Sequence, residues 1–239
     1  MTLPSSFSPA PQLRLVLFPV TCVVLNVEKG TVLLLSEEAR QVITYLHNTE
    51  GAPPPCHLLS LAQKQTLRAL MDAGVLVQGG RPRTWDRVKQ GAPASPSWGT
   101  QDSPAALSPI PRAPLRWYAL GFLALLIVLS TGLRNRQSAF VHTRHLVRHT
   151  KAGTIDHATA MRATHAVRRI GRLLPLRVAC WEEAIATTLA LRWVGHSVTF
   201  RHGVATDPVR LHAWIEVGGR PVAESDDITD YTPFEELDE

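Results

Sequence analysis

The chain has 239 residues, 45% hydrophobic and 19% charged, which is enough to bury a core and too apolar for a disordered protein. Its net charge of +5 is unevenly spread: from Arg134 to Arg177 the charges are nearly all basic, Asp156 being the main exception, and from Glu182 onward acids dominate. Three cysteines, Cys22, Cys56 and Cys180, with no CxxC and no Cys/His pair at zinc spacing, argue against a disulfide framework and leave free thiols that suit a reducing compartment.

The N-terminus has no basic segment followed by an apolar one, so no secretory signal and a cytoplasmic location are expected. Residues 1–80 read as a first unit. LRLVLF (Leu13–Phe18), CVVLN (Cys22–Asn26) and TVLLL (Thr31–Leu35) are strand-like runs, the last two joined by VEKG, with Gly30 free to take a positive φ. Ser36 caps a helix, SEEARQVITYLH, with acids in its first turn and Ala39, Val42, Ile43 and Leu46 at helical spacing. GAPPP breaks it. A second helix, about His57–Ala73, stops at Gly74, and VLVQ returns as a short strand. The order β-β-β-α-α predicts a small winged-helix-like unit. Its hairpin leaves an edge strand that an extended peptide could join, with Thr31, Val32, Leu33, Leu34 and Leu35 as one wall of a groove and Leu67 and Met71 on the other. Few basic residues (Arg40, Lys64, Arg68) fall on its helices, so nucleic acid is not an expected partner.

Residues 81–114 hold seven of the 18 prolines, interspersed with Gly, Ser and Ala, and predict a flexible linker. The second unit is 115–239. Its first segment, Trp117 to Leu133, is almost wholly apolar and lies between Arg112 and Arg116 on one side and Arg134 and Arg136 on the other. It falls just short of the roughly 20 residues that span a bilayer comfortably. The preferred reading is a core helix buried on all sides; the alternative is membrane contact, for which arginines on both flanks give no orientation. Helical pattern continues to the early 150s, resumes over His157–Arg172, and after Pro175 returns in Cys180–Val194, which ends at Gly195. SVTFRHGV, LHAWIEV and PVAE (Pro221–Glu224) follow as short strands, and DITDYTPFEEL as a turn and short helix. Helices first and antiparallel strands after predict an α+β architecture.

Cys180 opens a helix, where unpaired N–H groups and the dipole favour the thiolate, the form that acts as nucleophile. His212 lies in LHAWIEV; alternation puts Leu211, Ala213, Ile215 and Val217 on one face and His212, Trp214 and Glu216 on the other, so His212 faces a cleft if the apolar set packs on the core. A third group must hold the imidazole's tautomer; Glu224, Asp226 and Asp227 are the candidates, Glu224 first because a hairpin partner would bring it near and Asp226 next. A second constellation, His142, His145 and His149, stacks three imidazoles on one helix face, but with no interleaved thiol or carboxylate and with Arg144 and Arg148 beside them no metal site is expected.

At ACWEEAIATTLALRWVGHSVTFRHGV and LHAWIEVGGRPVAES the chain resembles the transglutaminase-like cysteine peptidases of lasso-peptide biosynthesis, the B proteins. VVLNVEKGTVLLLSEEARQVITYL and LRALMDAGVL are similar to the leader-recognition element fused to many of them. The resemblance implies a papain/transglutaminase-like peptidase domain after the recognition domain and linker. It implies Cys180 as nucleophile, His212 as base and no cofactor. Glu224 falls near the family's usual aspartate, so either it substitutes or Asp226 serves. The partners implied are a precursor peptide, whose leader is bound and cut from the core, and an asparagine-synthetase-like macrolactam cyclase. The same triad in a transglutaminase-like acyltransferase, and a non-catalytic peptide-binding scaffold, are the alternatives.

Overall fold

The structure, a computed structural model, describes residues 5–55, 59–79, 82–92, 110–134, 143, 147, 155–206 and 209–234. It is mixed α+β, with five α-helices among these residues and sheets in both of two compact units, Met1–Pro93 with Phe234–Glu239, and Ala94–Pro233.

The first unit is built on strands β1 (Phe7–Pro9), β2 (Leu13–Leu17), β3 (Cys22–Asn26) and β4 (Thr31–Leu35), helices α1 (Glu37–Asn48) and α2 (Leu61–Asp72), then β5 (Leu76–Gln78), a 3₁₀ turn (Pro82–Arg87) and β6 (Val88–Gln90). β2, β3 and β4 form the expected antiparallel meander, with β4 at one edge of the order β4-β3-β2-β6. Period-2 alternation sends Leu13, Leu15, Leu17, Cys22 and Val24 into one core with Ile43, Leu46, Leu67 and Leu70 of the helices. Ser36 caps α1 by accepting from the Ala39 N–H. The predicted start of the second helix at His57 is corrected to Leu61: Ser60 accepts from Gln63 N–H and the Gln63 side chain accepts from Ser60 N–H, a capping box that closes the end there. Residues 56–58, with Cys56, lie outside the described residues.

The predicted boundary at residue 80 also moves. Pro82–Arg87 turns back so that Trp85 is buried and its indole donates to Phe7 O at 2.9 Å. β6 then adds to β2 in parallel, Val88 opposite Leu15. A single large aromatic anchors a stretch whose proline count reads as linker. Gly51, at φ +89, passes so close to Phe7 O that any Cβ would collide with it. The rest of the expected linker, 93–109, is outside the described residues.

The second unit packs α3 (Leu115–Arg134), α4 (His157–Leu173) and α5 (Cys180–Trp193) on one another and lays α5 on a sheet of order β10-β7-β8-β9. Its strands are β7 (Thr199–Ala205), β8 (Arg210–Val217), β9 (Arg220–Pro221) and β10 (Thr232–Pro233), paired antiparallel. α5 is central: every residue from Ala184 to Leu191 is buried, as a helix apolar on all sides requires. α3 departs from the expectation of burial all round. Trp117, Gly121, Ala124, Leu125 and Val128 face the neighbouring helices, while Phe122, Leu123, Leu126 and Ile127 remain exposed. No helix among the described residues is long and apolar enough to cross a membrane. Of the expected helix through the early 150s, only Thr143 and Val147 beyond Arg134 are described, both helical.

PVAE is not a strand through Glu224. Pairing ends at Pro221, and Ala223 takes a left-handed φ of +56 that turns the chain before Glu224. The tail forms a 3₁₀ turn, Asp226–Asp230, before β10.

Candidate active site

Three segments bring together the predicted residues Cys180, His212 and Glu224, and a fourth adds Tyr231, which nothing in the sequence marks. Cys180 is the first residue of α5, His212 lies near the start of β8, Glu224 follows the Ala223 turn, and Tyr231 follows the 3₁₀ turn. Across the sheet His212 is opposite Gly203 of β7, where a Cβ would lie 2.7 Å from Thr232 O and 3.0 Å from the Trp214 ring. Only a glycine lets β10 and the aromatic ring close over that position.

His212 donates from Nε2 to Glu224 Oε2 at 2.9 Å, since a carboxylate oxygen only accepts. The other ring nitrogen, Nδ1, is left for the hydrogen bond between the imidazole and the Cys180 thiol. The ring stacks on Trp214, 13° from parallel with centroids 5.9 Å apart, and meets Tyr231 at 5.2 Å. Two aromatic faces thus set its plane while its two nitrogens set its rotation. β8 alternates as expected at Ala213 and Ile215, both buried against α5. The expected division of faces fails at Leu211, which is exposed, and at Trp214, which is buried.

The electrostatics follow from that contact order. Burial pushes the Cys180 thiol up, but the hydrogen bond and charge of His212, with the N–H groups of Ala213 and Trp181, outweigh it and hold the thiol below its ordinary value. Burial pulls His212 down, yet the hydrogen bonds and charges of Cys180 and Glu224 raise it to about 9. A cysteine lowered and a histidine raised both shift the pair toward thiolate and imidazolium. α5 carries no side-chain cap at its N-terminus: Ala179 is the N-cap, and Glu182 reaches back to take the Ala179 N–H at 3.1 Å.

Glu224 has a second partner that the sequence reading did not single out. Arg168 of α4 contacts Glu224 Oε1 through Nη2 at 2.5 Å and Glu183 Oε2 through Nε at 3.3 Å, and its Nη1 donates to Ala223 O. Burial raises Glu183 above the usual carboxylate range, against the pull of Arg168. In the sequence Arg168 is one of many arginines in a basic helical stretch; nothing in its spacing marks it, and only the tertiary fold shows its partners. A cavity of about 500 Å³ opens beside this cluster, lined by His165, Arg168, Glu183, His212, Glu224 and Tyr231 among others, with Cys180 outside its lining.

Asp226 opens the 3₁₀ turn two residues past Glu224, and its side chain lies outside the described residues. The three histidines 142, 145 and 149 also lie outside them; among the described residues no cluster of His, Cys, Asp or Glu could hold a metal ion. In the first unit, Leu33 and Leu34 of the edge strand are half-exposed, Leu67 is buried in the core, and Met71 packs partly against it. A separate groove of about 330 Å³ between α1 and α2 is lined by Val42, Tyr45, Leu59 and Leu67 among others.

No curated protein and no solved structure matches the chain. Residues 123–236 do match the model of the transglutaminase-like superfamily, a stretch that contains Cys180, His212 and Glu224. That superfamily includes cysteine peptidases and acyltransferases, chemistries that share an attacking thiolate. The unit that sets a thiol, an imidazole and a carboxylate in line therefore carries a transglutaminase-like superfamily domain, over residues 123–236.

Proposed function

We propose that the protein is a cysteine-type leader peptidase of lasso-peptide maturation, which binds the leader of a ribosomally made precursor and cuts it from the core. The observation that carries the enzymatic part is the chain of contacts from the Cys180 thiol through His212 to Glu224 Oε2. The thiolate of Cys180 attacks the carbonyl carbon of the leader–core amide. The Cys180 N–H at the start of α5 is suited to receive the developing oxyanion. The imidazolium of His212 gives its proton to the leaving amine as the C–N bond breaks, leaving a thioester. Water, deprotonated by the neutral imidazole, then attacks the thioester and frees the thiolate. Glu224 holds the imidazole's tautomer and balances its charge. Of the two carboxylates considered, Glu224 is the one we assign, on its 2.9 Å contact.

The substrate assignment rests on the first unit and on the resemblance of the sequence to B proteins. β4 is an edge strand with half-exposed Leu33 and Leu34, suited to take an extended leader as an added strand. Of the helix residues proposed for the opposite wall, Leu67 is buried and would contribute shape rather than a free contact. Tethering the leader raises the effective concentration of the scissile bond, over a reach set by the proline-rich stretch. An asparagine-synthetase-like cyclase would then consume the freed amine.

The test is mass spectrometry of a candidate precursor peptide incubated with wild type and with Cys180→Ala, with and without the cyclase. Leader and core fragments from wild type alone support the proposal. An intact peptide throughout, despite measurable leader binding, sinks the peptidase assignment. A product in which an amine replaces water at the acyl carbon would instead identify an acyltransferase, the reading that the superfamily's name favours.

A further inference from the structure

We propose that Arg168 is a positioning residue of the site, one whose fork holds the Glu224 carboxylate in the orientation that His212 needs. This rests on the assignment of Cys180 as nucleophile and His212 as base. Glu224 leaves the sheet after β9 and follows a left-handed Ala223, so no strand pairing fixes it. Its side chain has one more rotatable bond than an aspartate, and holding such a chain in one rotamer costs entropy that some contact must offset. Its two oxygens are divided: Oε2 accepts from His212 and Oε1 from Arg168. The same guanidinium donates to Ala223 O, so one planar group holds both the carboxylate and the turn that presents it.

Arg168 is itself held. It projects from α4, whose Ala163, Ala166 and Val167 are buried, and its Nε is paired with Glu183 of α5. The Glu224 side chain is 9% exposed, a degree of burial at which a carboxylate needs partners on both oxygens. Facing this cluster are His165 and Arg172 from α4, Cys180 and Glu183 from α5, and Asp227 and Tyr231 from the C-terminal segment. Among the described contacts of Glu224, Arg168 is the one that joins the carboxylate to the turn carbonyl.

The experiment is the rate of Cys180 alkylation by iodoacetamide from pH 5 to 10, with the modified residue identified by mass spectrometry. Wild type, Arg168→Met, Arg168→Lys and Glu224→Gln are compared in a Cys56→Ser background. Loss of the fork frees the carboxylate, weakens the imidazolium and moves thiolate formation up by about one pH unit, a loss of rate that approaches about tenfold at pH values below the wild-type midpoint. Arg168→Lys keeps the charge without the fork and restores only part of that loss. Circular dichroism and thermal unfolding report whether each variant is folded. A folded Arg168→Met whose profile superposes on wild type overturns the proposal, as does a wild-type profile in Arg168→Lys should the methionine variant not fold. No peptide is consumed in this assay, so failure of the leader-peptidase reading would appear separately, as absent cleavage with the profile shifts intact.

Discussion

The two units each hold a described cysteine, and the chain treats the two thiols in opposite ways. Cys22 sits at the start of β3 inside the first core, and burial pushes it up to about 12 with only a weak opposing pull from Arg40. Cys180 is also substantially buried, yet it is held below its ordinary value because an imidazole and two N–H groups meet the sulfur. Burial alone makes a thiol inert; burial with donors aimed at the sulfur makes it a nucleophile. The helix ends repeat the contrast. Ser36, Ser60 and Asp156 place a side-chain oxygen on the first N–H groups of their helices, whereas Ala179 offers none at the end where Cys180 stands.

The sharpest way to break this contrast is to remove the Cys180 thiol. Cys180→Ala should lower precursor cleavage by about a thousandfold or more, while Cys22→Ala leaves it within a few-fold; product mass spectrometry reads both. Next comes the carboxylate. Glu224→Gln keeps the shape but loses the acceptor charge, so cleavage should fall about a hundredfold and the His212 pKa should drop from about 9 toward its ordinary value, followed by NMR of the imidazole. Wild-type levels of both would remove Glu224 from the site.

Stability should carry the same signature. The folded His212 pKa of about 9 lies above the ordinary 6.5, so its contribution is full below 6.5 and is lost as pH rises through 9. Denaturant unfolding of wild type against His212→Gln should therefore show an advantage for wild type that shrinks between those values; a constant difference would mean that the histidine is not paired as described. On the other side of the comparison, Trp85→Ala in the first unit should cost about 3–5 kcal/mol and leave Cys180 alkylation unchanged. The smallest effect is expected at Ala223. Replacement by glycine relieves a left-handed alanine and should raise the melting temperature by about 2–4 °C, while loosening Glu224 enough to lower cleavage a few-fold.

How legible each part was depends on the range of the forces involved. β2, β3 and β4 were read from alternation and α1 from its Ser36 cap, because these signals are local. Cys180 and His212 were readable for the same reason: a cysteine at a helix start and a histidine in an alternating strand are local patterns that a fold then joins. Glu224 was one of two candidates, since the turn that aims it depends on a positive φ at an alanine, which no propensity announces. Arg168 was invisible because its partners lie 15 and 56 positions away in the chain. Trp85 and β6 were lost in a proline-rich composition, and their partners Phe7 and Leu15 lie at the other end of the unit. The exposed face of α3 is not legible in the sequence because a long apolar run hides which of its sides is covered.

That late strand has a consequence for how the protein is born. β6 pairs with β2 in parallel, and the Trp85 indole reaches Phe7 across 78 positions, so the N-terminal stretch of the first unit closes its core with the last of its strands. On the ribosome, the meander and the two helices emerge with the place of Trp85 still vacant, and completion waits until Gln90 has cleared the exit tunnel. The residues then occupying the tunnel are the prolines and small polar residues that follow, a stretch with little to bury and little to mispair. In the sequence, the proline-rich segment falls between the last strand of one core and the apolar helix that begins the next.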